Sequence, residues 1–480
     1  MRDKILYLER QSAALEPNAA QRKEVRDQVV AYTERFIEQI EDNKAFNITE
    51  DQGAGLYSSP ISGEPISIEE ALLLFEENVE KPGLNPASGG HLAYIPGGGL
   101  YHSSLGDYIA AITNRYAGVF YPSPGAVRMT NMLIRWMSDL VGYPESAAGN
   151  LCSGGSIANL TAIVTARDAK GLKGADYHKC VIYTTTQAHH CIDKAINIAG
   201  MAEAKRTFIA VNEDYAMLTN ELEEQIEKDK AAGLIPWLIV AASGTTDVGA
   251  IDPLEEIGKI ANQHGIWYHI DGAYGAFFAL TKSGKELLRG MNLSDSIVMD
   301  PHKSLFLPYG LGVLLVKDRK HLQYTHRFSA NYLQDVIDVE DELSPADISP
   351  ELTKHFRALR MWMPLKLCGT KAFTACLEEK LLLAQYFHAK MAEIPGFEVG
   401  QIPKLSVTTF RYVPESGDAN GFNKKLLEAI LKDGRVFLSS TNLEGKFTIR
   451  LAVLAFRSHL RTIDLALEII AEKTAEILDS

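Results

Sequence analysis

Four short apolar runs in the sequence end in polar residues able to do chemistry: Thr184 to His190 (TTTQAHH), Ser243 to Asp247 (SGTTD), His269 to Tyr274 (HIDGAY) and Asp300 to Ser304 (DPHKS). Ligands of open α/β sheets gather at the carboxyl ends of strands, so a site is expected where these four points meet. Lys303 in DPHKSLF follows the run SIVM instead of lying on an exposed helix. An amine in a partly dry site can lose its proton and attack a carbonyl to form a Schiff base; the plain alternative is a loop lysine that binds an anion. Its neighbour His302 is either a donor to a phosphate or a satisfied core histidine. Asp271 ends GIWYHI, where a desolvated carboxylate needs a cationic partner such as an arginine or a protonated ring nitrogen; capping the turn into GAYGAF is the simpler use. Gly272, Ala273 and Gly275 beside it leave room for a flat ligand. His189, after CVIYTTT, can stack on such a ligand, whereas the His189–His190 pair lacks the spacing of a metal site and no metal is expected.

A fifth segment, CSGGSIANLTAIVTARDA, places Ser153, Gly154, Gly155 and Ser156 at the mouth of a helix, where backbone N–H groups and the helix dipole suit a phosphate. A turn with Ser156 as N-cap is the competing use. The segment fits neither G-x-G-x-x-G nor the P-loop, and no G-x-S-x-G elbow supports a serine nucleophile. Phosphate cradle, acid, amine and stacking group together are the requirements of pyridoxal phosphate. That cofactor needs a lysine Schiff base, a carboxylate that keeps the pyridine nitrogen protonated, and a phosphate anchor.

The elements that must position these residues are legible in the patterning. Beyond Asn150, the runs CVIYT, RTFIAV, WLIVAA, GIWYHI, SIVM and GVLLV alternate with helical segments, the signature of an α/β domain with a largely parallel, doubly covered sheet. Residues 1 to about 47 are helical and polar, and Ser67 with Glu70 reads as a capping box before ALLLF. Helical patterns around 105–112 and 127–141 flank the loop VFYPSPG, and SVTTFRY and KFTIRLAV are strand candidates near the end. The expected division is a helical segment over 1–90, a large domain over 91–360 and a small α+β domain over 361–480.

With 480 residues, 46% of them hydrophobic and 23% charged, the chain is long enough for a large core and is not compositionally disordered. Its net charge of −13 disfavours nucleic acid and anionic membranes as partners. Five scattered cysteines without a CxxC pair read as buried thiols of a reducing compartment, and the early charges in MRDKILYLER do not suit a signal peptide. A cytoplasmic location is expected.

The segments HLAYIP, YPSPGAVRM, SGGSIANLTA, TTQAHHCIDKA, SGTTDVGAIDPL, WYHIDGAYGA, DPHKSLF, NYLQ and FRALRMW, in this order from His91 to Arg457, resemble the group II pyridoxal-phosphate decarboxylases, the family of aromatic-L-amino-acid decarboxylase. The resemblance implies an aspartate aminotransferase-like fold (fold type I) with a mainly parallel seven-stranded sheet. It implies that Lys303 forms the Schiff base with the cofactor, that Asp271 pairs with the pyridine nitrogen, and that Ala273 and His189 cover the two ring faces. Gly155, Ser156 and His302 fall where the family holds the phosphate, with Ser153 nearby and Thr246 where it has a hydroxyl beside the cofactor. Tyr332 resembles the loop tyrosine that donates a proton to the substrate α-carbon, and retention of both His189 and Tyr332 points to an amine product. Tyr94 and Pro96 match the family's side-chain pocket, to which Tyr116, Phe120 and Thr353 are added, and Arg450 resembles a C-terminal arginine that serves a carboxylate or a structural contact.

The implied activity is decarboxylation of an L-amino acid, with tryptophan, 5-hydroxytryptophan, tyrosine or dopa as the expected substrates. Acidic or diamino-acid decarboxylation (glutamate, aspartate, 2,4-diaminobutyrate) and aromatic aldehyde synthesis are the alternatives. Arg115 beside the pocket loop suits either an acidic substrate side chain or, more commonly for an arginine next to VFYP, a structural salt bridge, and the acidic stretch 335–342 reads as a solvated flap. The resemblance also implies a homodimer with a shared site, the loop 115–125 reaching the partner.

Overall fold

The computed structural model of the chain describes residues 1–327 and 342–479. Seven strands, β1 (Ala148–Cys152), β2 (Cys180–Thr184), β3 (Lys205–Phe208), β4 (Ile235–Ala242), β5 (Trp267–Asp271), β6 (Ser296–Met299) and β7 (Gly312–Val316), form one sheet in the order β1-β7-β6-β5-β4-β2-β3. The strands from β3 to β6 are parallel, and β7 lies antiparallel between β6 and β1. The expected mainly parallel, seven-stranded sheet is therefore present. β1, AGNLC, has none of the β-branched residues that mark the other strands, which is why its sequence reads as part of a glycine-rich motif.

Burial on both faces explains the near-continuous apolar runs of β2, β6 and β7. Side chains alternate between two hydrophobic layers: Val181, Tyr183, Ile297, Met299, Val313 and Leu315 enter one, while Ile182, Val298, Leu314 and Val316 enter the other. The second layer also contains Ala158 and Ala162 of the helix Gly155–Ala169, whose small residues let it lie close over the sheet. On the edge strand β3, the polar sequence KRTF replaces the apolar pattern.

A second sheet, β8 (Phe397–Val399), β9 (Val407–Tyr412), β10 (Ser439–Leu443) and β11 (Lys446–Ala452), is wholly antiparallel in the order β8-β9-β11-β10. It shares a core with the helices Ala419–Asp433 and Leu460–Leu478. The helix Ala358–Ala392 runs across position 361 and kinks at Gly369 (φ 71°). At the N-terminus the helices Arg2–Ser12 and Ala19–Glu38 are followed by Ile68–Phe75, where Ser67 Oγ accepts from the Glu70 amide (3.1 Å), the serine half of the expected capping box. Among the described residues no helix is long and apolar enough to cross a membrane.

The cysteines depart from expectation in part. Cys152, Cys180 and Cys191 are buried, but Cys368 is exposed on the helix Ala358–Ala392 and Cys376 is only partly covered. Their apolar neighbours in sequence belong to a helix with a solvent face.

The turn after β5 packs so closely that its glycine cannot be enlarged. A Cβ on Gly275 would lie 1.7 Å from the Ser243 carbonyl oxygen, a backbone atom with no rotamer to escape through. Gly275→Ala is expected to destabilise the fold by about 1–3 kcal/mol, read as a fall of a few degrees in Tm, and an unchanged Tm would contradict this packing.

Candidate active site

Because β1 runs in the same direction as β6, six strands present their carboxyl ends at one edge of the sheet, and the residues after five of them, all but β3, line a cavity of about 400 Å³. Ser153, Gly155 and Ser156 enter it after β1, His189 after β2, Thr246 after β4, Asp271 and Ala273 at the end of β5, and His302 and Lys303 after β6. All nine cofactor-site residues expected from the sequence thus meet in one place. The six expected pocket residues, Tyr94, Pro96, Tyr116, Phe120, Thr353 and Arg450, are not among the described residues lining it. Tyr332 lies outside the described residues.

The phosphate-type end is built from the helix Gly155–Ala169. Its N-cap is Gly154, so Ser156 is not the N-cap: it sits exposed in the first helical turn, beside the mouth. The Ile157 and Ala158 amides close onto the Gly154 carbonyl (both 3.1 Å), so the Gly155 and Ser156 amides precede the first intrahelical bonds. Close approach requires glycine at two places: a Cβ on Gly155 would lie 2.8 Å from Asp300 Oδ2, and one on Gly312 would lie 2.4 Å from the Gly154 carbonyl carbon. His302 stands alongside with Nδ1 donating to the Leu311 carbonyl (2.6 Å). Burial draws its pKa down, opposed by Asp300, so its neutral form offers Nε2 as an acceptor and would serve a phosphate as donor only when protonated.

At the opposite end Asp271 accepts from Asn159 Nδ2 (3.3 Å) and from the Ala273 amide (3.2 Å). It therefore caps its turn and also faces the cavity, where a cationic group could reach it. The His189 ring, half-buried, accepts at Nδ1 from the Cys191 amide (3.2 Å). Desolvation lowers its pKa against the pull of Asp271, which leaves a neutral ring suited to lying against a cationic heteroaromatic.

Lys303 differs from the expected amine. Burial alone would favour loss of its proton, but Asp300 Oδ2 lies 3.2 Å from Nζ and Asp271 adds a second negative charge, and together they raise its pKa. Asp300 is itself buried at 1% exposure, so its charge acts at low screening. Without a ligand, the lysine is an ammonium held by Asp300, a residue whose role its sequence position did not reveal.

Arg450 is placed structurally. Its guanidinium donates to the Asp247 carbonyl (2.9 Å), the Ser439 hydroxyl (2.8 Å) and the Thr246 carbonyl, tying the loop that carries Thr246 to β10 and β11. Sequence reasoning missed Asn159, Cys191 and Tyr309 as lining residues and flagged Thr184 and Gln187 only as part of the segment 184–190. Asn159 is the one amide in the buried face of the helix Gly155–Ala169, which otherwise carries small, apolar and threonine side chains.

The donor set fits a phosphorylated, planar, carbonyl-bearing group. Thr184 Oγ1, Gln187 Oε1 and Asp300 Oδ1 are buried without a protein partner, and all three belong to residues lining the cavity between the helix mouth and Asp271.

Comparison with known proteins agrees with this geometry. Residues 76–413 match the pyridoxal-dependent decarboxylase conserved domain, and the chain belongs to that family. It is a pyridoxal-phosphate-dependent amino-acid decarboxylase. An aromatic-L-amino-acid decarboxylase of Bacillus atrophaeus is 34% identical over 365 residues, covering 75% of this chain and 76% of the relative. A phenylacetaldehyde synthase of Arabidopsis thaliana is 29% identical over 407 residues, covering 80% and 82%. The crystal structure of Oryza sativa TDC with PLP and tryptamine superposes with a TM-score of 0.90 at 24% identity, covering 96% of this chain and 99% of that one, and shows the shared fold.

The Asp300–Lys303 pair gives a pH dependence with a definite sign. Removing the carboxylate charge removes an attraction that raises the lysine pKa, so in Asp300→Asn apoprotein the free amine appears at lower pH. Trapping of Lys303 by pyridoxal phosphate and borohydride, followed by peptide mapping against pH, is expected to shift its midpoint downward; an unchanged or upward midpoint would contradict the pairing.

Proposed function

We propose that this enzyme converts an aromatic L-amino acid to its amine and carbon dioxide, as a homodimer in the cytoplasm. The observation that carries the reading is the convergence of Lys303, Asp271 and the helix mouth at Gly155 on one cavity. When bound, pyridoxal phosphate supplies an electron sink for the pair released as the Cα–carboxylate bond breaks.

The residues have distinct tasks in this reading. The Gly155 and Ser156 amides and the Ser153 and Ser156 hydroxyls bind the phosphate, with His302 beside them. Asp271 holds a proton on the ring nitrogen, His189 and Ala273 cover the ring faces, and Thr246 offers its hydroxyl at the edge. Lys303 anchors the aldehyde and yields to the substrate amine, and Tyr332 delivers a proton to the substrate α-carbon. Arg450 keeps Thr246 in place through the loop carbonyls.

The aromatic class is supported by the Bacillus relative named for it. The homodimer is supported by an apolar stripe on the helix Tyr101–Thr113, where Tyr101, Leu105, Tyr108, Ile109 and Ile112 are all exposed at helical spacing. It is supported as well by the position of Tyr94, Tyr116 and Phe120 outside the single-chain cavity, since a second copy brings a second set of these rings. The scattered cysteines support the cytoplasm.

Incubation of the holoenzyme with an equimolar L-amino-acid panel, followed by mass spectrometry, is expected to yield tryptamine, tyramine or dopamine. Lys303→Ala is expected to form none. GABA, β-alanine or a diamine would overturn the substrate class, and an aromatic aldehyde with oxygen uptake would overturn the reaction. Light scattering is expected to give twice the chain mass, and a monomer would contradict the shared site.

A further inference from the structure

Trp267, His269 and Asp271 alternate along β5 and so share the face covered by the helix Gly155–Ala169. A continuous line of hydrogen bonds runs along that face. Trp267 Nε1 donates to Ser296 Oγ (2.9 Å), Ser296 Oγ lies 2.8 Å from His269 Nδ1, His269 Nε2 lies 2.7 Å from Asn159 Oδ1, and Asn159 Nδ2 donates to Asp271 Oδ2 (3.3 Å). Trp267, Ser296, His269 and Asn159 are each at most 3% exposed.

The chemistry of the groups fixes the direction of every bond. An ionised carboxylate only accepts, so Asn159 turns its NH2 toward Asp271 and its carbonyl oxygen toward His269. That oxygen also only accepts, so His269 carries its proton on Nε2. Burial pushes the His269 pKa down to about 4, leaving the ring neutral with Nδ1 as an acceptor for the Ser296 hydroxyl proton. The Ser296 oxygen then accepts from the indole N–H, which can only donate. The second amide hydrogen of Asn159 reaches Cys191 Sγ (3.3 Å), which lies 4.0 Å from Asp271 Oδ2.

We propose that Trp267, Ser296, His269 and Asn159 form a one-directional chain of donors that ends on the Asp271 carboxylate and sets how firmly it holds a proton on the cofactor's ring nitrogen. The inference rests on the reading of Asp271 as the partner of that nitrogen. Trp267, Ser296 and His269 do not line the cavity, and they act through Asn159 as positioning residues. A packing role alone would be met by apolar side chains such as the adjoining Ala158, Ala162, Val240 and Val298. Polar groups buried at such a place are costly unless each satisfies the next, and aligned hydrogen bonds polarise one another toward the terminal charge.

The test compares the dissociation constant of the apoprotein for pyridoxal phosphate with that for the analogue carrying C–H in place of the ring nitrogen. Both are followed by the absorbance of the lysine-bound chromophore, in wild type, His269→Leu, Ser296→Ala and Ser296→Thr. Wild type is expected to favour pyridoxal phosphate over the analogue. His269→Leu and Ser296→Ala are expected to weaken pyridoxal phosphate about tenfold while leaving the analogue within about twofold, and Ser296→Thr, which keeps the hydroxyl, to stay near wild type. Equal loss for both ligands would show a packing role and overturn the proposal, as would unchanged affinity for pyridoxal phosphate. Equal affinity of the wild type for the two ligands would instead overturn the reading of Asp271, and the relay with it. Should His269→Leu fail to fold, the loss of one hydroxyl in Ser296→Ala carries the same comparison.

Discussion

A carboxylate held at the end of a buried strand, Asp271 on β5, is the constraint around which the rest of the site is arranged. The carboxylate, half-buried, meets amide donors from two directions, Asn159 from the covering helix and Ala273 from its own turn, with the Lys303 charge nearby. Those donors in turn dictate neighbours. The helix Gly155–Ala169 must lie close enough to bring Asn159 to the sheet, which demands alanine at 158 and 162. The turn after β5 must be tight, which demands glycine at 275. The same helix that supplies Asn159 supplies the anion-binding mouth one turn earlier. Asn159 and the helix mouth are therefore set at a fixed separation by one rigid element.

The cavity also balances charge. Lys303, Asp300 and Asp271 leave a net negative set at its centre without a ligand, with the lysine proton held by Asp300. In the proposed binding mode a phosphorylated cofactor would bring further negative charge to the helix mouth and a cationic ring nitrogen to Asp271, so that the mouth's amides and the carboxylate would each meet the charge that suits them. Asp300 stands between, its Oδ1 buried without a partner, and its closeness to Gly155 and Gly312 shows that the phosphate loop is packed against it. Arg450 performs comparable work on the other side, holding the Thr246 loop through backbone carbonyls instead of meeting a ligand.

Much of this was legible in the sequence because strand ends and turn residues leave local marks. CVIYT, GIWYHI and SIVM could be read as strands from their apolar runs, and the polar residues just beyond them are among the ones that converge. What escaped depended on long-range pairing. AGNLC becomes a strand only because β7 lies beside it, and Asn159 becomes a donor only because the helix settles over β5. Ser296 opens β6 as an ordinary polar residue until its register opposite His269 makes it a link. Tyr94, Tyr116 and Phe120, expected to line the pocket, were readable as aromatic but not as placed, since their position relative to the cavity depends on the tertiary arrangement of loops distant in sequence. Arg450 carried a charge that fitted two roles, and only its bonds to Thr246 and Asp247 distinguish them.

The ionisation state of the cofactor's ring nitrogen is the quantity on which this account turns, and it is directly measurable by 15N NMR of the holoenzyme reconstituted with ring-labelled pyridoxal phosphate. The expected result is a pyridinium shift in wild type that moves to the neutral-pyridine range in Asp271→Ala. A neutral nitrogen in wild type, or a pyridinium shift that survives loss of the carboxylate, would contradict the central place given to Asp271.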